Sequence, residues 1–113
     1  MSEEQFEQIE VALEDAKKAV LKADALHRLI KNDDFKVIID VGYFEEEASK
    51  LVLSLGNPGY SKEQIEKTEQ LIRGISCLSG YFGSINHFGN EALKAIRDLE
   101  QTKEELLSEE GVE

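Results

Sequence analysis

The stretch from Leu26 to Gly56, LHRLIKNDDFKVIIDVGYFEEEASKLVLSLG, decides the fold. It contains the end of one predicted helix, a polar break that begins at Asn32, a dense apolar run and a second amphipathic segment. Short amide and carboxylate side chains satisfy free backbone N–H groups, so the break is expected to stop the first helix and cap the next. The sequence therefore predicts a short middle segment over residues 32–56, between two longer elements.

The apolar run over residues 35–41 allows two interpretations. Its β-branched side chains are compatible with a short buried strand. The run lacks the alternation of a half-buried strand, and helix-like segments lie on both sides, so a short helix is favoured. In both cases the run is expected to be buried, and Ile38→Asp is expected to unfold the protein. Gly42 is expected to permit a bend after it.

Residues 1–31 are predicted to form one helix. Ser2 and Gln5 have the spacing of a capping box. Apolar residues then recur at alternating steps of three and four over about four heptads, which is typical of a helix packed in a bundle or coiled coil. This seam comprises Phe6, Ile9, Leu13, Ala16, Val20, Ala23, His27 and Ile30.

Residues 61–107 are predicted to form a second long helix. Pro58 marks the loop before it, and Ser61 with Gln64 provides another capping box. A kink or break between Gly80 and Asn90 is the alternative, because each helical glycine costs up to about 1 kcal/mol relative to alanine. The last residues, 108–113, are predicted to be an acidic, frayed tail.

Together these segments predict an all-α fold in a single domain over residues 1–113. The architecture is an elongated helical hairpin or small bundle, with two long amphipathic helices and a short helical middle segment. The first helix is expected to pack antiparallel to some part of residues 71–106.

Composition limits the function. The formal net charge of −11 argues against nucleic-acid binding, because phosphate contacts need clustered lysine and arginine. It also disfavours anionic lipid, and no apolar run approaches the roughly 20 residues that span a bilayer. The one cysteine, Cys77, excludes an internal disulfide, and the polar N-terminus is unlike a secretory signal.

Candidate catalytic and metal-binding residues are sparse. Cys77 and His87 would lie about 15 Å apart along a continuous helix, too far for a nucleophile and its base. His27 and His87 lack the close spacing of metal ligands. The glycines from residue 74 onward do not match a phosphate-binding fingerprint. We therefore predict no catalytic residue, no metal and no cofactor, and we predict that the protein is not an enzyme.

The uncharged segment, Gly74–Asn90 (GISCLSGYFGSINHFGN), contains no Asp, Glu, Lys or Arg in a chain that is 33% charged. Such a segment is expected to be buried on most sides. It is expected to pack against the middle segment of the same chain, against a subunit or partner, or against both. Interfaces are depleted in charge and enriched in aromatic residues. The predicted protein-interaction residues are Tyr43, Phe44, Gly80, Tyr81, Phe82, Ile85 and Phe88.

From Leu26 to Val52 the pattern L-x-x-L-x-x-N-x-D-F-K-x-x-I-x-x-G-Y-F-x-x-E-A-x-x-L-V resembles small helical proteins of tailed bacteriophages, most of them uncharacterised. Residues 89–92 and 103–107 resemble the C-terminal half of the same proteins. The resemblance covers the chain from about Ala25 onward. It implies a phage origin and a role in the head or virion, and it supplies no activity or catalytic residue.

These observations favour a non-enzymatic bacteriophage protein that binds other structural proteins, as a minor virion component or a head-assembly factor. It is expected to form a homo-oligomer and to occur in the host cytoplasm during infection or in the virion. The alternative is a phage-encoded acidic inhibitor that occupies a basic cleft on a host protein. A small enzyme is the least favoured hypothesis.

Overall fold

A computed structural model of the protein describes residues 2–111, and every regular element in this range is helical. The prediction of an all-α fold with two long helices and a short helical middle segment is confirmed. The elements are α1 (Glu3–Ile30), α2 (Asp33–Phe35), a π-helical segment (Lys36–Glu47), α3 (Ala48–Ser54) and α4 (Lys62–Gly111).

The helices begin where short polar side chains satisfy free backbone N–H groups. The hydroxyl of Ser2 accepts from the backbone N–H of Gln5 at 3.1 Å, and the Gln5 amide oxygen accepts in return at 3.2 Å. Ser61 and Gln64 form the same reciprocal pair at 3.2 and 2.8 Å. The Asn32 side chain accepts from the backbone N–H three residues later, at 3.0 Å. The predicted capping residues are thus confirmed.

Helix α4 is helical throughout its assigned range, so the alternative of a break between Gly80 and Asn90 is wrong. Residues 108–111, predicted as part of a frayed tail, continue this helix, and residues 112 and 113 lie outside the described range. The helices contribute to two units. Unit 1 combines α1 up to Ala25 with α4 from Ile85 onward, and unit 2 contains the residues between them.

In unit 1, α1 packs antiparallel to the second half of α4, as predicted. The Lys103 amine forms an ion pair with the Glu10 carboxylate and lies 4.9 Å from the centre of the Phe6 ring. Further along the pair, Gly89 lies directly against Ala23. Residue numbers therefore rise along α1 as they fall along α4.

Small residues let the two backbones of unit 1 approach closely. A Cβ atom added at Gly89 would lie 2.4 Å from the Cβ of Ala23 and 3.6 Å from the carbonyl oxygen of Ala19. Leu13, Ala23 and Ala92 are the buried apolar side chains among the described residues of this unit. The position therefore requires glycine for close packing, although its backbone has no positive φ.

In unit 2, the winding of the π-helical segment decides which residues face inward. Partly buried positions recur at Phe35, Ile39, residues 42–44 and residues 47–48, at intervals of about four residues. A π-helix closes i→i+5 hydrogen bonds and has about 4.4 residues per turn. Phe35 and Phe44 are therefore about two turns apart and share one side. In an α-helix the same separation is about two and a half turns, which would place the rings on opposite sides.

Gly42 lies inside this winding and does not bend the chain, so the predicted bend is wrong. A Cβ atom at Gly42 would lie 2.6 Å from the carbonyl oxygen of Val37, five residues earlier. That carbonyl is the acceptor position of an i→i+5 helix. Glycine is required here because a methyl group would press on the backbone that defines the π-helical turn.

The expectation that the apolar run over residues 35–41 is buried throughout is also wrong. Val37 is 69% exposed and Ile38 is 65% exposed, whereas Phe35 and Ile39 are half-buried. The π-helical winding turns one side of the run outward. Ile38→Asp places its carboxylate in solvent, so the reason for expecting unfolding no longer holds.

Three glycine-to-alanine substitutions test these contacts. Gly42→Ala and Gly89→Ala should each lower the free energy of unfolding by about 1–3 kcal/mol, because the added methyl group meets atoms that are tightly packed. Gly83→Ala is the control, since nothing lies within 4 Å of its added Cβ. It should raise stability by up to about 1 kcal/mol through helix propensity. Urea denaturation measures all three. Equal stability of Gly42→Ala and Gly83→Ala would contradict the account of the π-helical segment.

Candidate protein-interaction surface

An aromatic cluster in unit 2 centres on Phe82. Its ring centroid lies 5.9 Å from the Phe35 and Phe44 rings and 6.2 Å from the Tyr81 ring, and Tyr43 lies 5.9 Å from Phe44. The Phe44 and Phe82 rings meet edge to face, an arrangement that contributes about 0.5–1.5 kcal/mol beyond area burial. The cluster joins the middle segment to α4.

The structure thus brings together four of the predicted interaction residues, Tyr43, Phe44, Tyr81 and Phe82. Their ring contacts are within the chain, and Phe82 is half-buried by them. Phe35 completes the cluster, although it was not among the predicted protein-interaction residues. Its nine-residue separation from Phe44 could have identified it, but only if a π-helical period had been considered in place of the α-helical one.

The uncharged segment is largely exposed, so the expectation that it is buried on most sides is wrong. Twelve of its seventeen residues are exposed, and only Ile75 and Gly89 are buried. The remaining three, Leu78, Phe82 and Ile85, are half-buried. The uncharged segment therefore has an apolar stripe that faces inward. Its outward side carries no charge, although the chain as a whole is rich in charged residues.

The outward side of this segment in unit 2 is built from small residues beside one large aromatic residue. A Cβ atom added at Gly80 or Gly83 would meet nothing within 4 Å. The Ser84 hydroxyl donates to the Gly80 carbonyl within the same helix at 3.0 Å. Tyr81 is 50% exposed at the edge of the aromatic cluster. This side has room for another backbone to approach closely.

The two remaining predicted interaction residues belong to unit 1. Ile85 is half-buried, and Phe88 is 62% exposed, with its ring 5.7 Å from that of His87. Phe88 therefore adds an exposed aromatic side chain to this unit. Whether these residues contact a partner stays a prediction.

The candidate catalytic and metal-binding side chains are not brought together in the described residues. Cys77 is an exposed free thiol on α4, and α4 continues as helix from Cys77 to His87, so the break needed to pair them does not occur. Within residues 2–111, no group of three or more His, Cys, Asp or Glu side chains is placed to hold a metal ion. No described helix combines the length and apolarity needed to cross a bilayer.

The central position of Phe82 gives a test of the cluster. Phe82→Ala should lower the free energy of unfolding by about 2–3 kcal/mol, at or below the low end for phenylalanine truncation because the ring is only half-buried. Phe88→Ala is the matched control on the same helix, and with an exposed ring it should cost less than about 1 kcal/mol. Chemical denaturation compares the two. Equal losses would show that Phe82 does not anchor the middle segment.

Comparisons of this chain with known proteins do not assign it to a family. No protein-family model, no curated protein and no solved structure matches the chain significantly. The resemblance to phage proteins therefore stays a prediction, and the function has to be inferred from the surfaces themselves.

Proposed function

We propose that this chain is a non-enzymatic bacteriophage protein that binds other structural proteins, as a minor virion component or a head-assembly factor. The observation that carries the binding role is the exposed, uncharged side of α4. The phage assignment is supported by the sequence pattern from Leu26 to Val52 alone.

The exposed area is consistent with a chain that is covered further by a partner. The protein exposes 8475 Å². A compact monomer of 12.7 kDa typically exposes about 6,200 Å², so the excess is about 2,200 Å². A standard interface removes about 800 Å² from each partner. The excess total area is larger than the area that one partner buries in an interface of standard size.

The first contact of this kind is with a second copy of the chain, through the uncharged segment. A net charge of −11 makes two copies repel each other, and this segment is where acidic side chains are missing. Gly80 would permit close approach of a second helix, and Tyr81 offers an aromatic anchor beside it. The resulting homo-oligomer would then present its other surfaces to structural proteins.

Gly80→Glu tests the contact at a position where an added Cβ atom meets nothing within 4 Å, so the fold is expected to persist. The wild type should self-associate, more tightly as salt screens the repulsion. Gly80→Glu should weaken association at least about tenfold, since like-charge contacts at an interface cost more than 1.4 kcal/mol. Ser49→Glu, at an exposed position on α3, is the control with the same change of charge. Sedimentation velocity at low and high salt measures all three proteins.

A strictly monomeric, well-folded wild type at both salt concentrations would end the homo-oligomer proposal. Equal weakening by Gly80→Glu and Ser49→Glu would instead assign the effect to total charge, and the contact would not lie on the uncharged segment.

The virion role has its own experiment. Mass spectrometry of purified particles and of head-assembly intermediates, from a phage that encodes this chain, should detect the protein. Cross-linking should join it to a structural protein of the same particle. Absence from both preparations, together with no cross-link to any structural protein, would contradict the proposal.

A further inference from the structure

The negative charge of the protein is concentrated in one part of unit 1. We call residues 3–15 of α1 together with residues 98–109 of α4 the acidic end. It contains eleven acidic residues and one basic residue, Lys103, for a net charge of −10. Nearly the whole net charge of −11 therefore lies on these two helical segments.

The one positive charge of the acidic end is engaged within the chain. The Lys103 amine pairs with the Glu10 carboxylate and lies over the Phe6 ring. Its side chain is only 30% exposed. No other base lies within these two segments, and Lys17, Lys18 and Arg97 lie directly outside them.

An apolar groove is lined by residues of the acidic end, none of them a carboxylate. It has a volume of about 300 Å³ and opens between the two helices of unit 1. Ile9, Leu99 and Leu106 form its apolar floor, and all three are half-buried. Its lining residues are Gln5, Gln8, Ile9, Leu99, Thr102 and Leu106.

A second depression on α1 repeats the combination of an apolar centre and an acidic border. Val11 is 58% exposed and lies with Ala12 at its centre. Glu4, Glu7 and Asp15 border it. Apolar contact area and negative charge therefore occur together twice on the same end of unit 1.

We propose that the acidic end is a docking surface for a basic amphipathic helical segment of a partner protein. Apolar side chains of that segment, at spacings of three and four, enter the groove and cover Val11, as helices do in hydrophobic grooves. Its lysine and arginine side chains meet the surrounding carboxylates. A second copy of this chain does not fit, since two surfaces of net charge −10 would face each other. The proposal is independent of self-association through the uncharged segment.

A designed peptide serves as the probe. It has about 14 residues, close to four helical turns, with leucine at steps of three and four and lysine elsewhere. Two control peptides separate the contributions: in one, glutamate replaces lysine, and in the other, serine replaces leucine. Each is titrated into the full-length protein, with affinity measured by fluorescence anisotropy and the site mapped by amide chemical shifts.

The leucine–lysine peptide should bind and shift the amides of Ile9, Leu99 and Leu106. The glutamate peptide should not bind, and the serine peptide should bind at least about tenfold more weakly because it lacks apolar contacts. Absence of binding by the leucine–lysine peptide, or shifts confined to unit 2, would overturn the proposal. If the serine peptide bound as tightly as the leucine–lysine peptide, the surface would be a nonspecific acidic patch. That result would also overturn the proposal.

Paired charge reversals test which acidic side chains of the protein contribute to binding of the leucine–lysine peptide. Glu7→Lys with Asp15→Lys, on either side of Val11, should weaken the leucine–lysine peptide at least about tenfold. Glu45→Lys with Glu46→Lys is the control, because it changes the net charge equally at exposed positions of unit 2. It should change affinity less than about twofold, because these two positions lie outside the acidic end and salt screens exposed charges. Circular dichroism checks that both variants fold, and equal weakening by the two pairs would overturn the proposal.

Discussion

The close approach of α1 and α4 at Gly89 is the constraint on which unit 1 depends. A methyl group at this position would overlap the Ala23 methyl group, so the helices can pack this closely only where both side chains are small. Small residues bring backbones together, but each removes little apolar area from water, and burial stabilises by only about 25 cal/mol per Å². Among the described residues of unit 1, the buried apolar side chains are accordingly few and include two alanines: Leu13, Ala23 and Ala92. In unit 2 they are Leu26 and Ile75.

With so few side chains buried, apolar side chains are exposed along the chain, and two of the surfaces that carry some of them differ in charge. In the uncharged segment they lie among small polar residues, which suits contact between like-charged chains. On the acidic end they lie among carboxylates, which suits a basic partner. The two contacts should respond to salt in opposite directions, because screening weakens repulsion between copies and also weakens attraction to a base. The two proposals therefore make separate use of different residues, and salt dependence distinguishes them.

Local signals in the sequence predicted the elements well and their exposure poorly. The capping residues Ser2, Asn32 and Ser61 act through hydrogen bonds within four residues, so the sequence alone contains what is needed to place them. The antiparallel packing of α1 on α4 was predicted from two long amphipathic helices joined by a short middle segment. The solvent exposure of a side chain cannot be read from local signals in the same way. It depends on whether other helices of the fold are available to cover that side of the helix. The uncharged segment was expected to be buried, yet the chain provides too few helices to cover more than its inner side.

The candidate site was only partly predictable for a related reason, the winding of the middle segment. An α-helical period separates Phe35 from Phe44 by half a turn, whereas the π-helical period puts both rings on the side that meets Phe82. Most π-helical turns occur singly inside α-helices, so a segment of twelve residues needs stabilising contacts. Ring contacts worth about 0.5–1.5 kcal/mol each are available only in this winding. Gly42 makes the winding sterically possible, Phe82 makes it favourable, and the outward position of Val37 follows from both.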